Sequence, residues 1–502
     1  MDAIGNIYST GAHMTSALDK NLQALESLFK SKDLAQRLVD TRIAVVMPPS
    51  HSPKAASLLA EFLVDCLARL WPNIDFVGAD SEQLIERARE AAKSGSGVTT
   101  GFASQWNPPY ACVVAVGCDA PSAGGPIVRV GADGWASAIG HDASCGDSAN
   151  PTGPAFAAAL GGAQVFFQVF RNELRDTGAR EIESCIFDVR TICNAEDLDV
   201  TDLHLPHTTF VGIGAVTHGL MGVLERWPFP VTGDARLVDA DSYGDSNGQR
   251  YAFMRSGDAG RPKVECVLSR LAEAHPGLNV EPFREDLNTH CALHGYPDDS
   301  ARYVVGLDSA ESRRHAALKY PGHCVNMWTE GVRIGAARYS PGASSACLGC
   351  DYLEDVSKSH DEVAEVHQIT QLLPQVVREL LDSARGLTPS EASIVSGATG
   401  LPVERVVGEP LRSVLPLVCA VGKLPVAKNG ALADVPFAFS SLMAGVAGFV
   451  MLLRDVTSPF GQSEGWTEHV FKPPQPTMWT QRIARFECAC CAPVKAVESQ
   501  TV

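Results

Sequence analysis

Glycines and charged side chains suited to holding phosphates follow one another between residues 210 and 313. A glycine-rich turn after an apolar strand can direct backbone N–H groups and a helix N-terminus at phosphates. An acid after the next strand can hydrogen-bond a ribose, arginine and lysine can neutralise a triphosphate, and a further aspartate can hold Mg²⁺. The pattern therefore predicts a site for ATP and Mg²⁺. Its residues are Gly212, Gly214, Asp239, Asn247, Arg250, Lys263, Asp308 and Arg313.

This ordered set resembles the ThiF and ubiquitin-activating superfamily, whose pattern reads G-x-G-x-x-G, L-V-D-x-D, S-N-L-x-R-Q, G-x-x-K and L-D-(five)-R. The spacings between the ribose acid, the arginine and the lysine are also those of the family. Three positions depart from it: Thr217 replaces the third glycine, Gly248 replaces the leucine and Tyr251 replaces the glutamine. These departures alter the phosphate loop and remove none of the charged groups.

The resemblance implies an ATP-dependent activating enzyme for a ubiquitin-like protein with a C-terminal glycine. The carboxylate of that partner would attack the α-phosphate of ATP and release pyrophosphate. Asp239 would bind the ribose and Asn247 would shape the phosphate site. Arg250 and Lys263 would stabilise charge on the phosphates, and Asp308 would hold Mg²⁺. A cysteine would then take the acyl group as a thioester and pass it to a conjugating enzyme.

Two paired-cysteine motifs indicate a metal site. Cys347-Leu-Gly-Cys350 and Cys488-Ala-Cys-Cys491 lie far apart in sequence, and two such knuckles can close a tetrahedral thiolate site around Zn²⁺. The family has a similar pair in these places. We therefore expect structural zinc on Cys347, Cys350, Cys488 and Cys491, with Cys490 left over. A chance or redox-active motif is the alternative.

Cys419 is the predicted nucleophile for the thioester step. It is the only cysteine between the two knuckles and lies in a segment with prolines and glycines before an apolar helix. Nearby basic residues could lower the pKa of its thiol, and a thiolate attacks an activated carboxyl readily. A buried position within the apolar run 414–421 is the alternative interpretation. Cys324 and Cys291 are weaker candidates.

Composition and charge restrict the class of protein. The chain has 502 residues, of which 45% are hydrophobic and 20% charged, and its net charge is −17. A negative charge argues against binding to nucleic acid or anionic membranes. The 15 cysteines show no disulfide-framework spacing, and the N-terminal sequence lacks the pattern of a secretory signal. These features predict a cytoplasmic enzyme without a nucleic-acid or membrane partner.

The apolar run 435–453 is long enough to suggest a membrane span. It is rich in serine, alanine and glycine, so we expect a buried helix packed closely on a sheet. The histidines show no metal-ligand spacing. The family takes one arginine from a partner lobe; Arg37 and Arg42 are candidates, although an ordinary surface role is favoured for both.

The N-terminal half alternates strands and helices, which predicts a parallel sheet with helices on both faces. After its first strand the chain reads Met47-Pro-Pro-Ser-His-Ser-Pro53, and prolines offer no N–H to a phosphate. This half resembles the N-terminal halves of bacterial ThiF-type proteins, which implies an inactive adenylation-like domain. An unrelated partner-binding α/β domain is the alternative. The predicted strands span 41–47, 74–77 and 111–117, and the predicted helices span 55–70, 82–92 and 156–170.

The predicted fold class is α/β, with two Rossmann-like adenylation-type domains in one chain and a zinc-knuckle C-terminal region. The degenerate domain covers residues 1–200 and the active, ATP-binding domain covers 201–346. Residues 347–502 hold the knuckles, the crossover segment with the catalytic cysteine and the closing helix. Two other functions remain open: an adenylyltransferase for a sulfur carrier or peptide that forms no thioester, and a non-catalytic nucleotide-binding scaffold. A homodimer is also an open alternative.

Overall fold

The computed structural model describes residues 34–491, apart from 51, 96–99, 123, 299, 320, 341–344, 354–361, 384, 412, 413, 416–436, 460, 486, 487 and 489. These residues divide between two compact units. In the described part, the larger unit contains residues 35–353 and 437–491, and the smaller contains residue 34 and 362–415.

A six-stranded sheet forms the first half of the larger unit, with the strand order β2-β1-β3-β4-β5-β6. Its strands are β1 (Arg42–Val46), β2 (Asn73–Val77), β3 (Cys112–Val116), β4 (Ile127–Asp133), β5 (Ala136–Gly140) and β6 (Ser184–Asp188). The helices of this half are α1 (Leu34–Asp40), α2 (Lys54–Leu67), α3 (Ser81–Gly95) and α4 (Thr152–Val169).

The pairing within this sheet is mixed. Strands β1 to β4 pair in parallel, as predicted, whereas β5 pairs antiparallel with both β4 and β6. The link between β4 and β5 is a tight turn at Gly134, where φ is +60°. A link this short can join only antiparallel neighbours, because parallel strands need a long crossover. The prediction of an all-parallel sheet is therefore wrong for β5 and β6.

The second half of the larger unit contains an eight-stranded sheet, ordered β14-β13-β12-β11-β10-β7-β8-β9. Its strands are β7 (Leu203–Val211), β8 (Val231–Val238), β9 (Leu278–Phe283), β10 (Arg302–Val305), β11 (His323–Glu330), β12 (Arg333–Tyr339), β13 (Glu464–His469) and β14 (Trp479–Gln481). The helices are α5 (Ala215–Glu225), α6 (Lys263–Ala274), α7 (Leu287–His294), α8 (Ala310–Ala317) and α9 (Leu348–Asp351).

The order of the strands reverses direction between β7 and β10. Strands β9, β8, β7, β10 and β11 are parallel, and the chain winds outward from β7 to β9 before it returns to β10 on the other side of β7. Ligands of open α/β sheets bind outside the carboxyl ends of the strands at such a reversal. The glycine turn after β7 lies at this point.

The described part of the smaller unit is helical: α10 (Glu362–Thr370), α11 (Pro374–Ser383) and α12 (Pro389–Thr399). Helix α12 begins with a capping box, in which Glu391 accepts a hydrogen bond from the Thr388 amide at 2.8 Å and Thr388 accepts one from the Glu391 amide at 3.4 Å. The helix ends at Gly400, which has a left-handed conformation. Apolar side chains from all three helices form one core in this unit.

Helix α13 (Ala438–Thr457) is the buried helix expected from the apolar run. Among the residues described, it is the helix whose length and composition would allow it to cross a membrane, and most of it is buried inside the protein. It packs on α4, α5, β11 and β12. A Cβ added at Gly445 would lie 2.4 Å from the Leu220 nitrogen and 2.5 Å from the Gly219 carbonyl carbon. The backbones of α13 and α5 therefore touch at this crossing.

We expect Gly445→Ala to destabilise the protein by about 1–3 kcal/mol, because the added methyl group has to push two helix backbones apart. Equilibrium unfolding in urea would measure this loss. Gly257→Ala is the matched control, since no atom lies within 4 Å of a Cβ built there, and it should change stability by less than about 0.5 kcal/mol. Equal effects of the two substitutions would contradict the close crossing.

Candidate functional site

The turn after β7 brings a helix N-terminus to the edge of the sheet. Gly212 has a φ of +81°, a conformation that favours glycine. A Cβ there would meet the Leu307 side chain at 2.9 Å and the Gly306 carbonyl oxygen at 3.2 Å. Gly214 is the N-cap of α5 and provides no capping side chain. The first N–H groups of α5 are thus left for a ligand, as phosphate-binding turns require.

Thr217 occupies the position of the family's third glycine and is fully buried. Its hydroxyl donates a hydrogen bond to the Gly212 carbonyl at 2.7 Å. A Cβ at Gly306 would lie 2.0 Å from that hydroxyl oxygen, so Gly306 has to be a glycine here. The departure from the pattern is therefore compensated on the neighbouring strand. Sequence reasoning did not assign Gly306 a role.

Asp239 follows β8 and connects it to the glycine turn. Its carboxylate accepts hydrogen bonds from the Ile213 amide at 2.6 Å and the Asp241 amide at 2.8 Å. Burial raises the pKa of the Asp239 carboxyl above its usual value, although the Lys263 ammonium and the two amides act in the opposite direction. The acid predicted to bind ribose is held rigidly at the carboxyl end of its strand.

Lys263 is the first residue of α6 and its side chain is buried. Its Nζ donates to Asp241 at 2.8 Å and lies 3.7 Å from Asp239. Burial alone would lower the pKa of this ammonium, but the nearby Tyr251, Asp239 and Asp241 side chains outweigh it and the pKa is raised. The lysine therefore stays charged. The Asp241 side chain is 72% exposed, so an incoming phosphate can replace it as the partner of Lys263.

Arg250 follows the single helical turn Asp245–Gln249, which Asn247 closes by accepting a hydrogen bond from the Gly244 amide at 2.9 Å. The Arg250 guanidinium lies 5.6 Å from the centre of the Tyr251 ring. Its Nε is buried and has no hydrogen-bond partner within the described part of the chain. Such a buried donor calls for an acceptor, and a phosphate oxygen would supply one.

Asp308 is exposed at the carboxyl end of β10, two residues beyond Gly306. Arg313, from the same motif, is buried and donates to the Leu307 carbonyl at 2.5 Å and to the Met327 carbonyl at 3.1 Å. Its other terminal nitrogen donates to the Tyr352 hydroxyl at 3.1 Å. Arg313 therefore fixes the segment that carries Asp308.

A buried arginine from the first half of the chain, not identified from the sequence, holds the loop of Arg250. Arg69, which follows α2, donates to the carbonyls of Gly248 at 2.5 Å, Ala252 at 3.2 Å and Met254 at 2.7 Å. Burial lowers the pKa of its guanidinium to about 10, so it is charged at neutral pH. No local sequence pattern predicts this role, because the partners of Arg69 lie far away in the sequence.

The two arginines considered from the sequence have other partners. Arg37 forms an ion pair with Glu173. Arg42 pairs with the buried Asp75 at 2.6 Å. Both pairs belong to the first half of the chain, and neither reaches the glycine turn through a described contact.

The four predicted zinc ligands come together. Their sulfur atoms all lie within 4.8 Å of one another, with Sγ–Sγ distances of 3.9 Å for Cys347–Cys350, 3.5 Å for Cys347–Cys488 and 3.5 Å for Cys350–Cys491. A tetrahedral site with Zn–S bonds near 2.3 Å has sulfur–sulfur edges of about 3.8 Å. The Arg485 amide also donates to the Cys350 sulfur at 3.3 Å. The cluster is therefore consistent with a bound zinc ion.

The cysteines considered for thioester chemistry are placed differently. Cys419 lies outside the described residues. Cys291 and Cys324 are both buried, and burial raises the pKa of the Cys324 thiol. Burial weakens both thiols as nucleophiles, and the raised pKa weakens Cys324 further. Cys490 is partly buried beside the four-cysteine cluster.

Residues 193–450, which contain the glycine turn and the residues predicted to bind ATP, match the ThiF family. The chain belongs to the ThiF family. It is also 29% identical over 153 residues to ubiquitin-like modifier-activating enzyme 7 of Homo sapiens. That alignment covers 29% of this chain and only 15% of the human protein. The two parallel-dominated sheets agree with a Rossmann-like ThiF fold.

Two solved structures of E. coli MccB are also similar. The structure with AMPCPP and selenomethionine MccA is 11% identical, covers 72% of this chain and 97% of its own, and has a TM-score of 0.34. The structure with selenomethionine MccA alone is 13% identical, and the match covers 73% of this chain and 97% of the MccB chain with a TM-score of 0.33.

We expect Arg69→Met to destabilise the larger unit, because the carbonyls that Arg69 binds would lose a buried donor, at about 1–3 kcal/mol for each one left unpaired. Denaturant unfolding would measure the loss. Arg89→Met is the control: Arg89 forms a surface ion pair with Glu86 on α3, worth less than about 1 kcal/mol. If both variants unfold alike, Arg69 does not hold the loop.

Proposed function

We propose that this chain activates the C-terminal carboxylate of a ubiquitin-like protein by adenylation and then takes the acyl group onto a cysteine. One observation carries the proposal: Asp239 accepts a hydrogen bond from the glycine turn at the strand-order reversal, and Lys263 lies 3.7 Å from Asp239. Lys263 and Arg250 both lie against the Tyr251 ring. This edge of the sheet suits a nucleoside triphosphate, because it combines anion-binding groups, an acceptor for the ribose hydroxyls and a helix N-terminus.

In the first step an oxygen of the partner's C-terminal carboxylate attacks the α-phosphorus of ATP. A new phosphorus–oxygen bond forms, the bond from the α-phosphorus to the bridging oxygen breaks, and pyrophosphate leaves with that electron pair. Negative charge grows on the phosphate oxygens, where Lys263 and Arg250 stabilise it. Asp239 accepts hydrogen bonds from the ribose and so sets the position of the α-phosphate.

Asp308 is the proposed ligand for Mg²⁺. It is an exposed carboxylate on a segment that Arg313 holds in place, and a hard cation prefers such oxygen ligands together with phosphates and water. Bound Mg²⁺ would neutralise charge on the triphosphate. The four-cysteine cluster is the proposed zinc site, and its role would be to tie the C-terminal segment back to the larger unit.

The thioester step is proposed for Cys419. Its thiolate sulfur attacks the acyl carbon of the adenylate, the bond between that carbon and the phosphate oxygen breaks, and AMP leaves. The burial of Cys291 and Cys324 supports Cys419 over these two thiols. A conjugating enzyme would then accept the acyl group by a second thiol exchange.

Asp308→Ala should reduce ATP–pyrophosphate exchange, measured with a ubiquitin-like partner, by about a thousandfold or more, since a lost metal contact costs several kcal/mol of barrier. Glu311→Gln, also exposed and three residues further along, is the control and should keep the wild-type rate. Exchange that persists near the wild-type rate in Asp308→Ala would show that Asp308 is not the metal ligand.

Cys419→Ala should abolish a thiol-sensitive adduct with the partner on non-reducing gels and leave pyrophosphate exchange intact, because the adenylation groups lie elsewhere in the sequence. Cys324→Ala is the control for a buried thiol and should keep the adduct. An adduct that survives in Cys419→Ala would move the nucleophile to another cysteine. Robust exchange without any adduct in the wild type would instead favour an enzyme that stops at the adenylate.

A further inference from the structure

A cluster of two histidines and one glutamate lies outside the groups used for adenylation. Helix α7 begins after Asp286, whose carboxylate accepts hydrogen bonds from the amides of Asn288 at 2.8 Å and Thr289 at 3.1 Å. Residues four apart on a helix project from the same face, which brings His290 and His294 together. Two histidines at i, i+4 on one helix face also have a spacing that metal-binding pairs use.

The three side chains converge on one point. The Glu285 Oε1 atom lies 2.8 Å from His290 Nδ1 and 3.1 Å from His294 Nε2. All three candidate ligand atoms lie within 4.8 Å of one another. Metal–ligand bonds near 2.1 Å place neighbouring ligand atoms about 3.0–3.4 Å apart. The observed distances are close to that range, so small shifts of the side chains would admit an ion.

An apolar wall and an open side complete the cluster. The Phe283 ring lies 4.6 Å from the His290 ring and 4.8 Å from the His294 ring, measured between centres. His290 and Glu285 are mostly buried, whereas the His294 side chain is 39% exposed. The ring of Phe283 contacts both imidazoles, and the exposed side of His294 gives an ion a route of entry.

We infer that Glu285, His290 and His294 form a binding site for a divalent transition-metal ion of the Zn²⁺ or Co²⁺ class. Imidazole nitrogen suits these borderline ions, whereas Mg²⁺ and Ca²⁺ prefer oxygen ligands throughout. Three protein ligands leave at least one coordination position for water or a small anion.

This site is separate from the proposed adenylation and zinc-cluster residues. It adjoins them at the end of β9, where the Phe283 carbonyl accepts a hydrogen bond from the Asp239 amide at 3.2 Å. None of its three ligands is among the groups proposed to bind ATP. A failure of the adenylation proposal would therefore leave the metal site untouched, and the reverse holds as well.

The test is a titration of the full chain with Co²⁺, followed by visible absorption, after removal of metal with a weak chelator. Wild-type protein should give d–d bands from a nitrogen–oxygen site, and these differ from the intense thiolate-to-cobalt charge-transfer bands that a four-cysteine site produces. His294→Ala should weaken this Co²⁺ binding by at least about tenfold, since losing even an outer-shell partner of a metal costs about 10- to 100-fold.

Two further variants make the result decisive. Glu285→Gln keeps the shape of the side chain and removes its charge, and it should also weaken Co²⁺ binding. His315→Ala, an exposed histidine on α8, should bind Co²⁺ like the wild type. Circular dichroism would verify that each variant is folded. If the wild type gives only thiolate-type bands, or if His294→Ala binds as tightly as the wild type, the three side chains form only a hydrogen-bonded cluster and the proposal is overturned.

Discussion

The backbones of β7 and β10 approach each other closely at their carboxyl ends, and this contact determines the shape of the glycine turn. A Cβ at Gly212 would lie 2.9 Å from the Leu307 side chain and 3.2 Å from the Gly306 carbonyl oxygen. A Cβ at Gly306 would lie 2.0 Å from the Thr217 hydroxyl, which donates to the Gly212 carbonyl, and 3.1 Å from that carbonyl oxygen. This contact places the N-terminus of α5 beside the segment of Asp308. Asp239 is tied to this contact through the Ile213 amide, and a methyl group added at Gly212 would press on the segment that leads to Asp308.

Burial strengthens the electrostatic interactions of Lys263 and Asp239. Lys263 is removed from water but is flanked by two aspartates, so it stays charged and its field is less screened than that of a surface lysine. Asp239 uses both carboxylate oxygens on backbone amides and cannot rotate freely. Such preorganised groups need little rearrangement when charge develops on a substrate. Asp241 is exposed, so an incoming anion could easily replace it as the partner of Lys263.

Local sequence pattern was sufficient where the determinants are local. The strand predicted at 41–47 is β1 (Arg42–Val46), and the apolar run 435–453 is the buried helix α13. The spacing within each cysteine knuckle was enough to select the four cysteines, whose sulfur atoms lie within 4.8 Å of one another. Contacts between distant segments could not be predicted from the sequence, because they leave no periodic pattern in it. Examples are the contact of Arg69 with the loop of Arg250 and that of Thr217 with Gly306. The pair His290 and His294 did carry a signal, their i, i+4 spacing, which becomes informative only once the helix is known.

The contact of Arg69 with the loop of Arg250 has a consequence for how the protein acquires its structure. A guanidinium from the first sheet's half supplies the donors for carbonyls in the second half. The loop of Arg250 is therefore incomplete until both halves have folded, and synthesis of the second half alone would leave it without its buried cation. The first half of the larger unit can in this way act as a folding partner that remains covalently attached to the segment it stabilises.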